Sequence, residues 1–279
     1  MALVWILVWI LALLGAMGMV IYGLGPVFQA REQRKLATGY RHAISQAANE
    51  STGLGGVSTP TASPDLGTPV AIIEIGAIHV QQVVVEGAFA SQTQAGPGHV
   101  TGTAAPGQIG NSVVVGRAHA FGGTFGDIGQ LKRGNTILIS TTQGQSVYRV
   151  TTVVHKDLSN TTATYGRTAD SRLTLVTSAS RLPWNDAEGV VVVAALEGLP
   201  FSSTPQNGRV STGLGTGGDS GADAAVILAL FAFAGTISAS IALYRRVRPA
   251  TAYLLSIGPL IATAIIAGET LSRVFPAWM

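Results

Sequence analysis

The sequence predicts a mainly β protein, a closed or nearly closed barrel carried at a membrane by one N-terminal and two C-terminal transmembrane helices. Three observations lead there. Between residues 70 and 196 lie seven short runs rich in β-branched residues, separated by turns that contain Gly, Pro or Asn. Three apolar runs flank this stretch, each close to the roughly 20 residues that cross a hydrocarbon core as a helix. Tracts rich in Gly, Ser, Thr and Pro connect the two kinds of segment.

Residues 1–28 are read as the first transmembrane helix. From Ala2 onward the run carries no charge, and it lacks the basic start and small-x-small site of a cleaved signal peptide. Residues 29–69 are a stalk and linker. Leu36, Tyr40, Ile44 and Ala47 recur at helical spacing, so the first helix continues out of the bilayer as a solvated stalk, and 50–69 reads as flexible. The β domain is placed at 70–197, with strands over 70–75, 78–85, 112–115, 136–140, 147–154, 172–177 and 190–196. Their close spacing favours a barrel over alternating β-α units. Residues 198–221 form a second flexible linker, 222–268 a transmembrane helical hairpin, and 269–279 a C-terminal tail in which Glu269 and Arg273 can pair one turn apart. Gly235, Ser238, Ser240, Gly258 and Gly268 would allow partner subunits to pack closely on the spans.

Charge sets the expected topology. Arg245, Arg246 and Arg248 crowd the short connection between the last two spans, which marks it as cytoplasmic. The barrel is then extracytoplasmic, the N-terminus cytoplasmic and the C-terminus extracytoplasmic, in a multi-pass protein of the plasma membrane. Arg31, Arg34, Lys35 and Arg41 oppose this. The short loop outweighs them, because long domains translocate largely regardless of charge. The pI of about 9.4 therefore reflects membrane-flanking basic residues. No basic stripe with interleaved aromatics runs through the β domain, so nucleic acid is not an expected partner. The lipid bilayer and membrane complex subunits are.

The chain contains no cysteine, which matters once its motifs are read in order. Gly96-Pro97-Gly98-His99, Gly102-Thr103, Pro106-Gly107 and Gly110-Asn111 are followed by Val113-Val114-Val115-Gly116. Then come Phe125, Leu131 and Gly134, and at the end Thr174-Leu175-Val176-Thr177-Ser178. This ordered set resembles the sortases, most nearly the membrane-anchored, class E-like forms of actinobacteria. The resemblance implies an eight-stranded barrel in which a Cys thiolate cuts a sorting signal, a His acts as acid and base, and an Arg holds the oxyanion or substrate.

By the same resemblance, the cysteine position is Ser178, the histidine position, after Gly116, is Arg117, and the arginine position at the start of the last strand falls at Gly189. Serine is a poor nucleophile without a positioned base. Arginine stays protonated and cannot serve as one. Glycine leaves a developing oxyanion unpaired. All three departures point to a degenerate pseudo-sortase with no catalytic residues. The alternative is a serine-dependent transpeptidase or hydrolase in which His119 and Arg181 rescue Ser178. His119 stands two residues from the histidine position, a displacement of several ångströms against a general-base reach of roughly 3 Å.

The remaining polar residues have plainer readings. His99 caps a turn, His79 and His155 lie on strand surfaces or edges, and His42 belongs to the stalk. Asp127, Asp157, Asp170 and Asp186 are scattered loop acids, and no spacing suggests a zinc or calcium site. No metal or cofactor is expected. Residues 156–171 correspond to the loop over the sorting-signal groove of the family. In the loop after the nucleophile position, Trp184 beside Pro183, with Arg181, is a candidate partner anchor. The expected function is a catalytically inactive, sortase-like scaffold or accessory subunit of a cell-envelope membrane complex. A receptor that recognises a sorting-signal-like peptide without cutting it shades into that reading.

Overall fold

The structure is a computed structural model that describes Gly15 and residues 18–52, 63–180, 188–205 and 213–279. Eight strands close a barrel: β1 (Pro69–Ile75), β2 (Val80–Glu86), β3 (Gly98–His99), β4 (Asn111–Val115), β5 (Thr136–Thr141), β6 (Gly144–Asp157), β7 (Arg172–Ser178) and β8 (Glu188–Glu197). Their order round the barrel is β1-β2-β3-β4-β7-β8-β6-β5. Seven of them coincide with the predicted runs. β3 is the addition, two residues parallel to β2 and antiparallel to β4, too short to leave a period in the sequence.

Side chains that alternate along the strands fill the interior: Ile73 and Ile75, Ile137 and Ile139, Leu173 and Leu175, Val192 and Ala194, around Tyr148 and Phe125. Tyr148 brings a hydroxyl into this apolar space and accepts the N–H of Gly107 at 2.7 Å; burial pushes its pKa up to about 12. A second cluster lies on the outer face of β4, β7 and β8. Val113, Val115, Val176 and Val191 there pack with Leu158, Tyr165, Trp278 and Met279. These three strands are therefore buried on both faces, which explains their unbroken apolar runs, Val113-Val114-Val115 and Val190-Val191-Val192-Val193.

The stretch expected as a solvated stalk is instead a helix packed on the barrel. Helix α1 (Gly25–Thr52) lays Tyr40, with Leu36 and Ile44, against Ile72 and Val83, and the Tyr40 hydroxyl donates to the Val70 carbonyl. Gln33 acts as a side-chain peptide group. Its amide donates to Val83 O at 3.1 Å and Ala95 O at 2.7 Å, and its carbonyl accepts Val83 N–H at 2.7 Å. The stripe at helical spacing is the packing face.

The tract expected as a second flexible linker also differs over its described residues. Phe201 bridges to Gln108. Leu214 lies beside Ala88, and its carbonyl accepts the Tyr165 hydroxyl at 2.9 Å. Asp219 accepts the N–H groups of Ala90 and Ser91 at 2.7 and 3.1 Å, capping the short helix α2 (Ala90–Ala95). Its Gly and Ser content hides a few anchoring residues that make it a belt.

Two antiparallel helices follow (Ala222–Arg246 and Pro249–Leu271). They meet through Phe233, Ala229 and Ala267 and through a Thr236–Thr263 hydroxyl contact of 3.0 Å. Both are long and apolar enough to cross a membrane. Only 17% of the most apolar window of each is buried, unlike the core helix of a soluble domain. Arg273 pairs with Glu269 at 3.6 Å. Beyond Leu271 the chain turns back onto the barrel.

Candidate functional site

The register brings the three sequence-predicted positions to one end of the barrel. β4 and β7 run parallel with Val115 beside Val176, and Gly116 N–H extends the pairing to Val176 O at 3.0 Å. Arg117 and Ser178 are thus the next equivalent positions along the two strands. β8 runs antiparallel to β7, with Ser178 opposite Gly189. Thr177 pins the corner, donating its hydroxyl to Gly116 O at 2.8 Å.

Ser178 is 3% exposed. Its hydroxyl donates to Ser180 O at 3.2 Å and accepts Ser180 N–H at 3.1 Å, the local side-chain-to-backbone turn that serine favours at the end of a strand. Among the described residues it meets no histidine or lysine.

Arg117 is buried and faces elsewhere. Nε donates to Thr93 Oγ1 at 3.2 Å and Nη2 to Ala90 O at 2.9 Å, and the guanidinium lies 5.0 Å from the centroid of the Phe121 ring. Burial lowers its pKa to about 10, with the Asp219 carboxylate opposing that fall. It therefore remains a cation near neutral pH, tying the end of β4 to α2.

Gly189 has no room for a side chain. A Cβ there would collide with Leu158 Cδ1 and approach Trp278 Cζ3 to 3.0 Å and Thr177 O to 3.1 Å. Trp278 is fully buried. Its carbonyl accepts Ala118 N–H at 2.9 Å and Ser178 N–H at 3.4 Å, with the Thr177 hydroxyl at 3.5 Å. Among the described residues its buried indole Nε1 has no hydrogen-bond partner.

His119 is exposed on the bend after Arg117 and is not a partner of the Ser178 hydroxyl, whose bonds both go to Ser180. Arg181 and Trp184, the expected rescue and partner anchor, lie outside the described residues. His99, expected to cap a turn, does more than that. It is fully buried, with Nδ1 2.8 Å from Glu86 Oε2 and Nε2 2.9 Å from Ala104 O and 3.0 Å from Thr103 Oγ1. The Thr103 hydroxyl spends its own hydrogen on Val100 O at 2.7 Å. Both ring nitrogens thus face acceptors, which favours the protonated imidazole beside Glu86. Burial opposes that charge, but the Glu86 hydrogen bond and carboxylate prevail and raise the pKa above its ordinary value. Among the described residues no three His, Asp or Glu stand close enough to hold a metal ion.

Sequence reading missed Trp278, Leu158 and Asp219. The available signal was the unbroken apolar character of β4 and β8, which demands a cover on the outer face.

The family model for the sortase domain matches residues 73–197. Among solved structures, a sortase D5 transpeptidase from Clostridium perfringens is similar at TM-score 0.50 and 21% identity, over 60% of this chain and 99% of that one. The SrtF sortase of Corynebacterium diphtheriae gives 0.46 and 21%, over 53% and 95%. Sortase E from Streptomyces avermitilis gives 0.42 and 23%, over 49% and 93%. A comparison with curated proteins gives no match. The closed eight-stranded barrel is a sortase-like fold, and at these identities the structural likeness speaks for the fold alone.

Proposed function

We propose that this chain is a catalytically inactive, sortase-like membrane protein whose extracytoplasmic barrel serves as a scaffold or accessory subunit of a cell-envelope complex. The observation that carries this reading is the state of the three positions at the end of β4, β7 and β8. Ser178 is closed on Ser180, Arg117 is a buried cation bonded to α2, and the space beside Gly189 holds Leu158 and Trp278. Acyl transfer needs a base within hydrogen-bond reach of the nucleophile and donors free to receive an oxyanion. Here Arg117 cannot accept a proton, and the Ala118 and Ser178 N–H groups already hold a carbonyl.

The membrane part supports an assembly role. The two C-terminal helices expose large side chains, among them Leu228, Phe231 and Leu254, which suit contact with lipid and with partner helices. The arginine-rich turn between them is proposed as cytoplasmic, with the barrel and residues 272–279 outside.

The test is complementation of a deletion strain, scored beside co-purification from mild detergent. Ser178→Ala should restore the phenotype and keep the partners, whereas removal of residues 222–271 should release them. A Ser178→Ala protein that is made and inserted yet behaves as the null would replace this reading with a serine-dependent transpeptidase or hydrolase.

A further inference from the structure

We propose that residues 277–279 are a resident ligand of the barrel, an internal latch that closes the groove along β4, β7 and β8 and couples it to the helical hairpin. This goes beyond the scaffold reading and stands apart from it, since the same latch would close a serine enzyme.

The contacts are those of peptide recognition. One peptide carbonyl, that of Trp278, is met by two backbone N–H groups, of Ala118 and Ser178, and lies at the edge of reach of the Thr177 hydroxyl. The adjoining side chain fills an apolar seat made by Leu158, Val176 and Val191 over Gly189. The belt already lies on Val115 through Gly215, so the part of this apolar face that the segment covers is the one over Gly189, beside Leu158, and exposed apolar surface there would mark a binding site. The segment supplies its own cover.

The latch is tied to the hairpin at short range. The second hairpin helix ends at Leu271, and two residues later the Arg273 carbonyl accepts Asp219 N–H at 2.7 Å. Asp219 also caps α2, to which Arg117 is bonded. A shift of the hairpin is therefore transmitted to Trp278 through a few residues of chain.

The seat is imperfect in a way that makes it releasable. Among the described residues the Trp278 Nε1–H is buried without an acceptor, a desolvation penalty that the segment sheds on leaving. Seating is sustained by the tether, because a short linker presents its end at an effective concentration in the millimolar range. Withdrawal would uncover the apolar face and the N–H groups of Ala118 and Ser178. The open groove would take an extended peptide with a large aromatic side chain.

The chain has no cysteine, so Ser178→Cys places a single thiol under the latch. Maleimide labelling of the full chain in mild detergent should be slow in this variant and at least about tenfold faster when Trp278→Ala is added, as expected for a local opening. A synthetic peptide of residues 272–279, at roughly millimolar concentration to match the tether, should restore protection to the double variant. The same peptide with alanine in place of the tryptophan should not. Fast labelling with Trp278 present, or equal rates in the two variants, would overturn the latch. So would a rise that the peptide fails to reverse, since that is the behaviour of an unfolded barrel.

Discussion

The two walls of the barrel differ in what covers them. β5 and the first half of β6 alternate buried with more exposed positions, one face to the core and one to water, and β6 beyond Val150 has no buried position. β4, β7 and β8 are buried on both faces over most of their length, because Trp278, Met279, Leu158 and Tyr165 lie on the outside. The boundary runs through a single strand pair. Val154 of β6 and Val191 of β8 are register partners and so share a face, yet Val154 is 39% exposed and Val191 2%. Sheet position therefore does not decide the environment of a residue here. What decides it is whether Leu158, Tyr165, Trp278 and Met279 lie over that part of the face.

Two ion pairs give the largest expected contrast. His99–Glu86 joins β3 to β2 with side chains 0% and 3% exposed, while Arg149–Glu197 joins β6 to the end of β8 at 49% and 44%. Breaking the first by His99→Ala leaves a buried carboxylate and should cost about 3–5 kcal/mol at pH 6, read from denaturant unfolding of the full chain. The pH dependence has a definite sign. His99 is raised above its ordinary value in the folded state, so its contribution is fully present below the unfolded pKa, about 6.5. It is lost as pH rises through the folded pKa. Stability should fall with rising pH over that window, and His99→Gln should flatten the slope.

The Val154 and Val191 pair gives an intermediate effect. Val191→Thr buries a hydroxyl among apolar neighbours and should destabilise by about 1–3 kcal/mol, whereas Val154→Thr should stay within about 0.5 kcal/mol. Equal effects at the two positions would mean that the outer face of β8 is not covered in solution. The smallest effect belongs to the exposed pair. Arg149→Ala should leave the melting temperature unchanged within error, since solvent-exposed ion pairs contribute little.

Much of the barrel was legible because its strands are runs of β-branched residues between turn formers, and Ser178, Arg117 and Gly189, picked out by motif, stand together at one end of it. What was not legible depends on contacts between residues far apart in the chain. β3 is only Gly98 and His99, with no periodicity to read. The stripe of Leu36, Tyr40 and Ile44 was visible, but its target, the edge formed by Ile72 and Val83, becomes a surface only after the barrel closes. Phe201, Leu214 and Asp219 anchor a tract whose average composition reads as linker. Trp278 meets Ala118 and Ser178 across at least a hundred residues of sequence, and no local pattern announces that seat.

The central claim, that the end of the barrel at Ser178 performs no acyl chemistry, is most directly tested with a serine-reactive fluorophosphonate. The full chain in mild detergent, with Trp278 intact and as Trp278→Ala, would be incubated with the probe and its intact mass measured. The account predicts no adduct at Ser178 in either form, because among the described residues the hydroxyl is bonded to Ser180 and to no histidine or lysine. Stoichiometric labelling at Ser178 in either would contradict it.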